Sequence, residues 1–474
     1  MASRAVARET ETPALRFWNL AVPKGQIGTE VLAGLTTFMV MAYIIAVNPI
    51  TLGFVGNKDL APLGLPFAAA MTSTCLVAGV MSILMGIYTN RALALAPGMG
   101  LNAVVAFQLV AGMGLTWPQA MGVILIEGLV ITLLVLTGFR EAIMNAVPVP
   151  LKKAISVGIG LFILFIGLNE AGIVVQGQGI PLSMGKLVGV PVFVAVVGIV
   201  LTILLSVKRV KGALLISILA TTLVAIIVNA LYGFKAFPTP GAAVIPSSIF
   251  AAPDFSLIGQ VDPFGVFVKV GVLGAVLAVF SIMLSDFFDT MGTLVGVGSQ
   301  AGYLDEKGQF KDVGKPLLVD SLAAVAGGLC SSSSSTTYIE SQAGVQAGGR
   351  TGLTAVVVGL LFLVFMPLSP IVGVIPKEAT AGALIAVGIM MCGVLVTKGS
   401  GIDLNNPEEA WPIVTTFIVM PLTYSITNGI GAGFIVYTLA RLIQGKRDHV
   451  MMYVASAAFV VYFLMDFLKA TFGI

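Results

Sequence analysis

Apolar runs of about 20 residues recur along the whole chain, separated by short polar or Gly/Pro-bearing breaks. Each run is long enough for a helix to cross a hydrocarbon core of roughly 30 Å. Inside lipid the backbone must satisfy its own hydrogen bonds, so runs of this length predict helices. A membrane barrel would instead alternate in stretches of about ten residues. The pattern predicts an all-α polytopic membrane protein with spans over 28–50, 66–88, 98–112, 117–138, 152–173, 189–206, 212–232, 264–289, 314–330, 340–348, 350–370, 378–397, 408–425 and 428–444. A further apolar stretch, 449–471, contains Asp466 and Lys469 and is assigned neither to a crossing nor to the interface.

Comparing the halves shows an internal repeat. The segment VPVPLKKAISVGIGLFILFIGL (147–168) is echoed by GVIPKEATAGALIAVGIMMCGV (373–394), each with Pro and Lys just ahead of a Gly-bearing apolar helix. The pair of spans in 189–232 is echoed in 408–444. Seven spans is an odd number, so the second half enters the membrane upside down: two inverted seven-helix repeats, a transporter architecture.

Charge orients the chain. Arg91, then Arg140 with Lys152 and Lys153, then Lys208, Arg209 and Lys211 fall in alternate loops, and the Arg441–Arg447 cluster lies in phase with them. Placing these inside obeys the positive-inside rule. It puts the N-terminal segment 1–26 in the cytoplasm and the loop 236–262 outside, and leaves 446–474 as a C-terminal hydrophobic segment of unassigned placement. The polar start, with Glu9 and Glu11, does not resemble a cleaved signal peptide.

Composition agrees. The 474 residues are 57% hydrophobic and 10% charged, far from the roughly 25% charge of a soluble domain. A net charge of +3 gives no argument for nucleic acid. Cys75, Cys330 and Cys392 lie in apolar segments and read as buried thiols, and the lone His449 lies near the C-terminal end. No phosphate-binding Gly-Lys-Ser/Thr loop and no metal-ligand cluster is present. Neither an enzyme nor a cofactor is expected: a hydrolase using the serine run 331–335 would have no histidine in a span to activate it. Transport is then passive or driven by an ion gradient, and the buried carboxylates point to protons, with sodium as the other option.

Two segments, third in each half, read as broken helices. In RALALAPGMGLNAVVAF (91–107), alternating Ala/Leu meets Pro97, Gly98 and Gly100. Pro removes a donor and Gly tolerates unusual dihedrals, so a short extended piece is followed by a helix from about Gly98, with Asn102 in its first turn. In SSSSSTTYIESQAGVQAGG (331–349), a polar run too costly to face lipid leads into an extended piece at Thr336 and Thr337, then a half-helix at about Glu340.

Five carboxylates fall inside apolar spans: Glu127, Asp286, Asp289, Asp320 and Glu340. Such groups are functional candidates by their cost alone. Asp286 and Asp289, three apart, are expected on one helical face, where two nearby carboxylates resist simultaneous ionisation and so suit proton uptake and release. Glu340, beside free backbone donors, offers the paired acceptor and donor edge that a heterocycle with adjacent N–H and C=O groups requires. Asp320 and Glu127 read as bracing.

GLTTFMVMAYIIAVNP (34–49), APGMGLNA (96–103), SDFFDTMGTLVGV (285–297) and SSTTYIESQAGVQAGGRTGLTA (334–355) resemble, in this order, signatures of the nucleobase–ascorbate transporter superfamily. More closely they resemble its AzgA-like branch of hypoxanthine, guanine and adenine permeases, over roughly 27–444. The resemblance implies a core domain (27–138 and 263–370), a gate domain (139–235 and 371–445), and short antiparallel strands in broken segments 3 and 10. It implies a purine nucleobase bound between them by Glu340, Asp286 or Asp289, and Asn102, with Thr337 and Gly100 beside it. Asp289, Asp286 and Glu340 would carry the proton. Related branches often have Glu in span 8, whereas this chain has the Asp pair of the purine-only branch. The expected function is proton symport of guanine, hypoxanthine or adenine by alternating access in the cell membrane, with a homodimer as the family's common assembly. A uracil, xanthine or other small-solute permease of the same fold is the alternative.

Overall fold

The computed structural model describes residues 15–472, apart from 58, 139–146, 178, 238, 240, 305–309 and 394–403. Arg140, the start of the N-terminal segment (1–14) and the end of the span expected at 378–397 therefore lie outside the described residues.

The chain opens with a hairpin that periodicity did not announce: β1 (Leu15–Phe17) pairs antiparallel with β2 (Leu20–Val22). It folds against the end of a later helix, where the Trp18 and Tyr88 rings stand 5.4 Å apart and the Asn19 side chain donates to the Tyr88 carbonyl at 2.8 Å. The first half then runs α1 (Ile27–Met41), α2 (Ile44–Leu52), α3 (Phe67–Thr89), β3 (Leu95–Pro97), α4 (Met99–Ala103) continuing as a π-helix over Val104–Gly112, α5 (Trp117–Leu136), α6 (Val149–Glu170), a small hairpin β4 (Val174–Val175) and β5 (Ser183–Met184), α7 (Val190–Val207) and α8 (Ala213–Leu231). The second half repeats the order with α9 (Gly265–Ala301), α10 (Gly314–Leu329), β6 (Ser335–Thr337), α11 (Ser341–Gln346), α12 (Gly352–Phe365), α13 (Ser369–Val372), α14 (Lys377–Cys392), α15 (Pro407–Leu422) and α16 (Ile426–Ile443). α17 (Val450–Phe472) follows and packs on α16 and α9.

Among the described residues nine helices are long and apolar enough to cross a membrane, α1 and α2 counting as one. The 16-residue helices α10, α14 and α15 and the two broken segments complete fourteen. The fold is two inverted seven-segment repeats. The eighth span is longer than expected: α9 continues three turns beyond Asp289 to Ala301, where Gly302 in the left-handed conformation ends it.

Helices of opposite halves interlock. α3 packs on α12, α5 on α10, and α6 on α14, the two segments whose sequences echo each other. Small residues permit this closeness. A Cβ on Gly388 would lie 2.4 Å from the Gly160 carbonyl oxygen, so neither helix can approach its partner with any larger residue there. α1 to α5 and α9 to α12 make most of their contacts with one another, as do α6 to α8 and α14 to α17.

Both helix ends and irregular backbone are satisfied by side chains. Glu30, fully buried in the first turn of α1, accepts from the Arg350 and Thr351 backbone N–H groups at 2.9 and 3.0 Å and from the Thr354 hydroxyl, so it holds the segment that leads into α12. At the same end, the Tyr303 hydroxyl accepts from Ala92 N–H and donates to the Arg350 carbonyl, each at 2.9 Å, under the Arg91 guanidinium. Burial pushes this hydroxyl up to about 12, so it stays protonated through the physiological range. The loop after α8 runs across the other end. Ala243, Ala251, Gly259 and Asp262 donate their N–H groups to carbonyls of Val374, Pro367, Leu329 and Pro118.

Candidate functional site

The two broken segments meet in the middle of the fold. β3 and β6 pair antiparallel, with Leu95 opposite Thr337, Ala96 opposite Thr336 and Pro97 opposite Ser335. Flanking bonds extend the pairing: Gly98 N–H donates to the Ser334 carbonyl, and Tyr338 N–H to the Ala94 carbonyl, each at 2.9 Å. A strand pair buried in a membrane protein must also satisfy its outer edges. Serine hydroxyls do this for β3. Ser82 accepts from Leu95 N–H and donates to its carbonyl, and Ser341 accepts from Ala94 N–H. Asp320 does it for β6, taking the Thr337 N–H and hydroxyl at 2.8 Å each and the Thr290 hydroxyl at 2.7 Å. Its bracing role is therefore specific: it holds the strand that leads to Glu340.

The serine run is wholly buried, and Ser331 and Ser333 adopt left-handed φ of 57° and 74°. Strain of this kind persists only where surroundings over-determine it. Here the Asn48 amide donates to Thr74 Oγ1 at 2.8 Å and to the Ser332 carbonyl at 3.0 Å, and Ser334 donates to Glu127 Oε2 at 3.3 Å. Glu127 thus braces the run rather than facing lipid.

Beside the crossed strands lies a cleft enclosing about 550 Å³ of empty space, its mouth included. Glu340 and Thr337 line it from the second broken segment, and Gly98 to Leu101 from the first. Ser285, Asp289 and Thr293 line it from α9, and Ile159 and Met391 from the facing helices α6 and α14. Of the residues expected at the site, Glu340, Asp289, Thr337 and Gly100 come together here. Asp286 and Asn102 do not line the cleft. The lining row on α9 is 285, 289 and 293, a spacing of four. Asp286, three residues from Asp289, is turned about 60° off that row and is fully buried. Asn102 is buried in the first turn of α4 with both amide atoms lacking a hydrogen-bond partner.

Sequence reasoning missed Tyr43. It stands where α1 ends and α2 begins, 1% exposed, and its hydroxyl donates to Glu340 Oε1 at 2.8 Å. Its presence in the first quoted motif was the available signal. A second, larger cavity between α2, α8 and α13 is lined almost wholly by apolar groups and has no charged side chain to orient a polar ligand.

A fold of inverted repeats with a carboxylate-bearing cleft at paired half-helices is a carrier's site. Residues 28–430 match the model of the permease family. The chain belongs to that family, the nucleobase–ascorbate transporters. This permease is 41% identical over 437 residues to a putative permease of Methanocaldococcus jannaschii, covering 92% of this chain and 94% of the relative. It is 39% identical to the adenine permease AdeP of Escherichia coli (94% and 93% covered) and 40% identical to the guanine/hypoxanthine permease PbuG of Bacillus subtilis (93% and 96%). Among solved structures, its fold matches the transmembrane domain of a cyanobacterium bicarbonate transporter, BicA, at TM-score 0.62 and 15% identity, over 86% of this chain and 99% of that one. It matches the murine Solute Carrier 26 family member A9 anion transporter, in an inward-facing state, at TM-score 0.61 and 14% identity, over 89% and 69%. The permease is a multi-pass membrane protein.

Proposed function

We propose that this permease takes up a purine nucleobase (adenine, guanine or hypoxanthine) in symport with a proton. The observation that carries the reading is the cleft itself, where Glu340 and Asp289 face one space beside the start of α4 at Gly98 to Leu101. A purine presents ring N–H groups next to acceptors. A carboxylate takes the N–H, and backbone N–H groups at the start of α4 serve the acceptors. Two acidic side chains at such a site disfavour an inorganic anion. The names of the relatives above support the same substrate class.

Asp289, with Glu340 opposite, is the proposed proton carrier, and Asp286 and Asn102 support the site from behind. In this reading α1 to α5 and α9 to α12 form the core, and α6 to α8 with α14 to α16 form the gate. Each group moves against the other, so that the cleft opens to one side and then the other. The arginine- and lysine-rich end faces the cytoplasm and the membrane is the cell's own.

The test is uptake of radiolabelled adenine, guanine and hypoxanthine into cells lacking their own purine permeases, with and without a proton uncoupler. Saturable uptake abolished by the uncoupler is expected, and Glu340→Gln should remove it at normal protein abundance. Normal transport by that variant would refute the assignment. Loss of uptake on sodium withdrawal instead of uncoupling would replace the proton by sodium. Uptake of uracil or xanthine alone would replace the substrate class.

A further inference from the structure

We infer that Tyr43 is the positioning residue that makes Glu340 an oriented acceptor, and that through it the cleft selects ligands bearing a ring N–H. This deepens the nucleobase reading above and rests on it.

The geometry has three parts. The first is the contact: Tyr43 donates its O–H to Glu340 Oε1 at 2.8 Å, and both residues line the same cleft. A carboxylate has no proton to give, so the phenol is the donor. That bond narrows the rotation of a carboxyl group whose last torsion is intrinsically broad. Glu340 needs such a partner because it does not cap its own helix: no side-chain cap bond forms at α11.

The second part is the anchorage of the tyrosine. It occupies the junction of α1 and α2, where the Ala46 and Val47 N–H groups bond the Tyr43 carbonyl at 3.1 and 3.0 Å. Its ring is almost fully enclosed. The hydroxyl is therefore delivered from a rigid point, 297 residues away in sequence from the carboxylate it holds.

The third part is the consequence for a ligand. With the O–H of Tyr43 spent on Oε1, this side of the cleft presents acceptor oxygen only. A ligand group placed against it must donate. One that offers a lone pair or a methyl group leaves a buried carboxylate without its partner, and a site built this way rejects such analogues strongly.

The experiment compares wild type with Tyr43→Phe, which removes one oxygen and leaves the ring in place. Both are measured for concentration-dependent uptake of the transported purine and for competition by its ring-N-methylated derivatives. Surface abundance is read from a fluorescent fusion. The expected result is an apparent KM raised roughly tenfold, the effect of one hydrogen bond to a charged group, with maximal rate per molecule within about twofold. The preference for the unmethylated purine should shrink, because an unheld carboxylate reads the N–H less strictly. Tyr43→His, whose ring nitrogen stops short of the position of the phenol oxygen, should behave as Tyr43→Phe does. If Tyr43→Phe keeps the wild-type KM and the wild-type discrimination, the inference is wrong while the nucleobase reading stands. If Tyr43→Phe fails to reach the membrane, Tyr43→His decides: a raised KM with weakened discrimination supports a positioning hydroxyl, and wild-type values of both overturn it. Wild type that takes up no purine at all overturns both readings.

Discussion

At Gly100 a Cβ would lie 2.6 Å from Ile159 Cγ2, closer than two carbons can stand without one of them moving. The glycine lets a branched side chain of α6 approach the start of α4 and set the width of the cleft. Gly100→Ala should therefore lower purine uptake at least tenfold at unchanged abundance, and Ile159→Ala in the same chain should restore part of it. Uptake measured on the single and double variants checks this, and an unaffected single variant would show that the two helices are free to part. Residue identities at this site were legible to unequal degrees. Glu340 and Asp289 were legible because a carboxylate in an apolar run carries a large cost and so a strong signal. Tyr43, Ser285 and Thr293 were not, because aromatic and hydroxyl side chains are ordinary in membrane helices and only their neighbours make them functional. Asp286 and Asp289 look equivalent in sequence, yet a rotation of about 60° along α9 brings one to the cleft and leaves the other behind it.

Elements here are held by partners far away in the chain. Glu30 on α1 supplies the acceptor for the Arg350 and Thr351 N–H groups that lead into α12, and Asn90 at the end of α3 takes the Gly352 N–H that opens it. Removing Glu30 leaves several buried donors unpaired. Glu30→Ala should cost roughly 2–3 kcal/mol, seen as a lower melting temperature of the purified protein. Glu30→Gln, which keeps one acceptor, should lose less. The crossing of α3 and α12 is tighter still. A Cβ on Gly352 would lie 1.8 Å from the Gly86 carbonyl oxygen, a clash of backbone with side chain that no rotamer relieves. Gly352→Ala should abolish accumulation of folded protein, and a normally abundant, active variant would contradict this packing. Helix existence was readable from apolar length. The β1–β2 hairpin was not, since three-residue strands carry no periodicity. The π-helical stretch Val104–Gly112 was not either, since it differs from an α-helix only in which carbonyl each N–H reaches.

For the whole molecule, the contacts between the two helix groups decide how it can work. Near the end crossed by the long loop, Gln108 on the π-helix donates to Thr427 on α16 and accepts from its N–H. The Tyr424 ring meets Phe107 edge-on at 5.6 Å. Lys377 reaches from α14 to the Gly56 carbonyl at 3.1 Å. If one group moves against the other during transport, these contacts must break once per cycle. Linking Gln108→Cys to Thr427→Cys with a short thiol-reactive reagent should stop uptake, and a reductant that cleaves the link should restore it. Uptake that continues at full cross-linking would mean that the groups do not separate here.

The sequence by itself determined that the chain spans a membrane, how often it crosses, that its halves are inverted copies, and where its two helices break. Each of these follows from local physics: apolar length against bilayer thickness, an odd span count, and the backbone demands of Pro, Gly and a buried polar run. Only the tertiary structure decided which carboxylates share the cleft, that Asp320 and Glu127 hold the crossing strands, and that Tyr43 holds Glu340. Those outcomes depend on helix rotation and on pairings between residues as much as 297 positions apart. Such pairings are fixed by close packing across the repeat, and no local pattern records them.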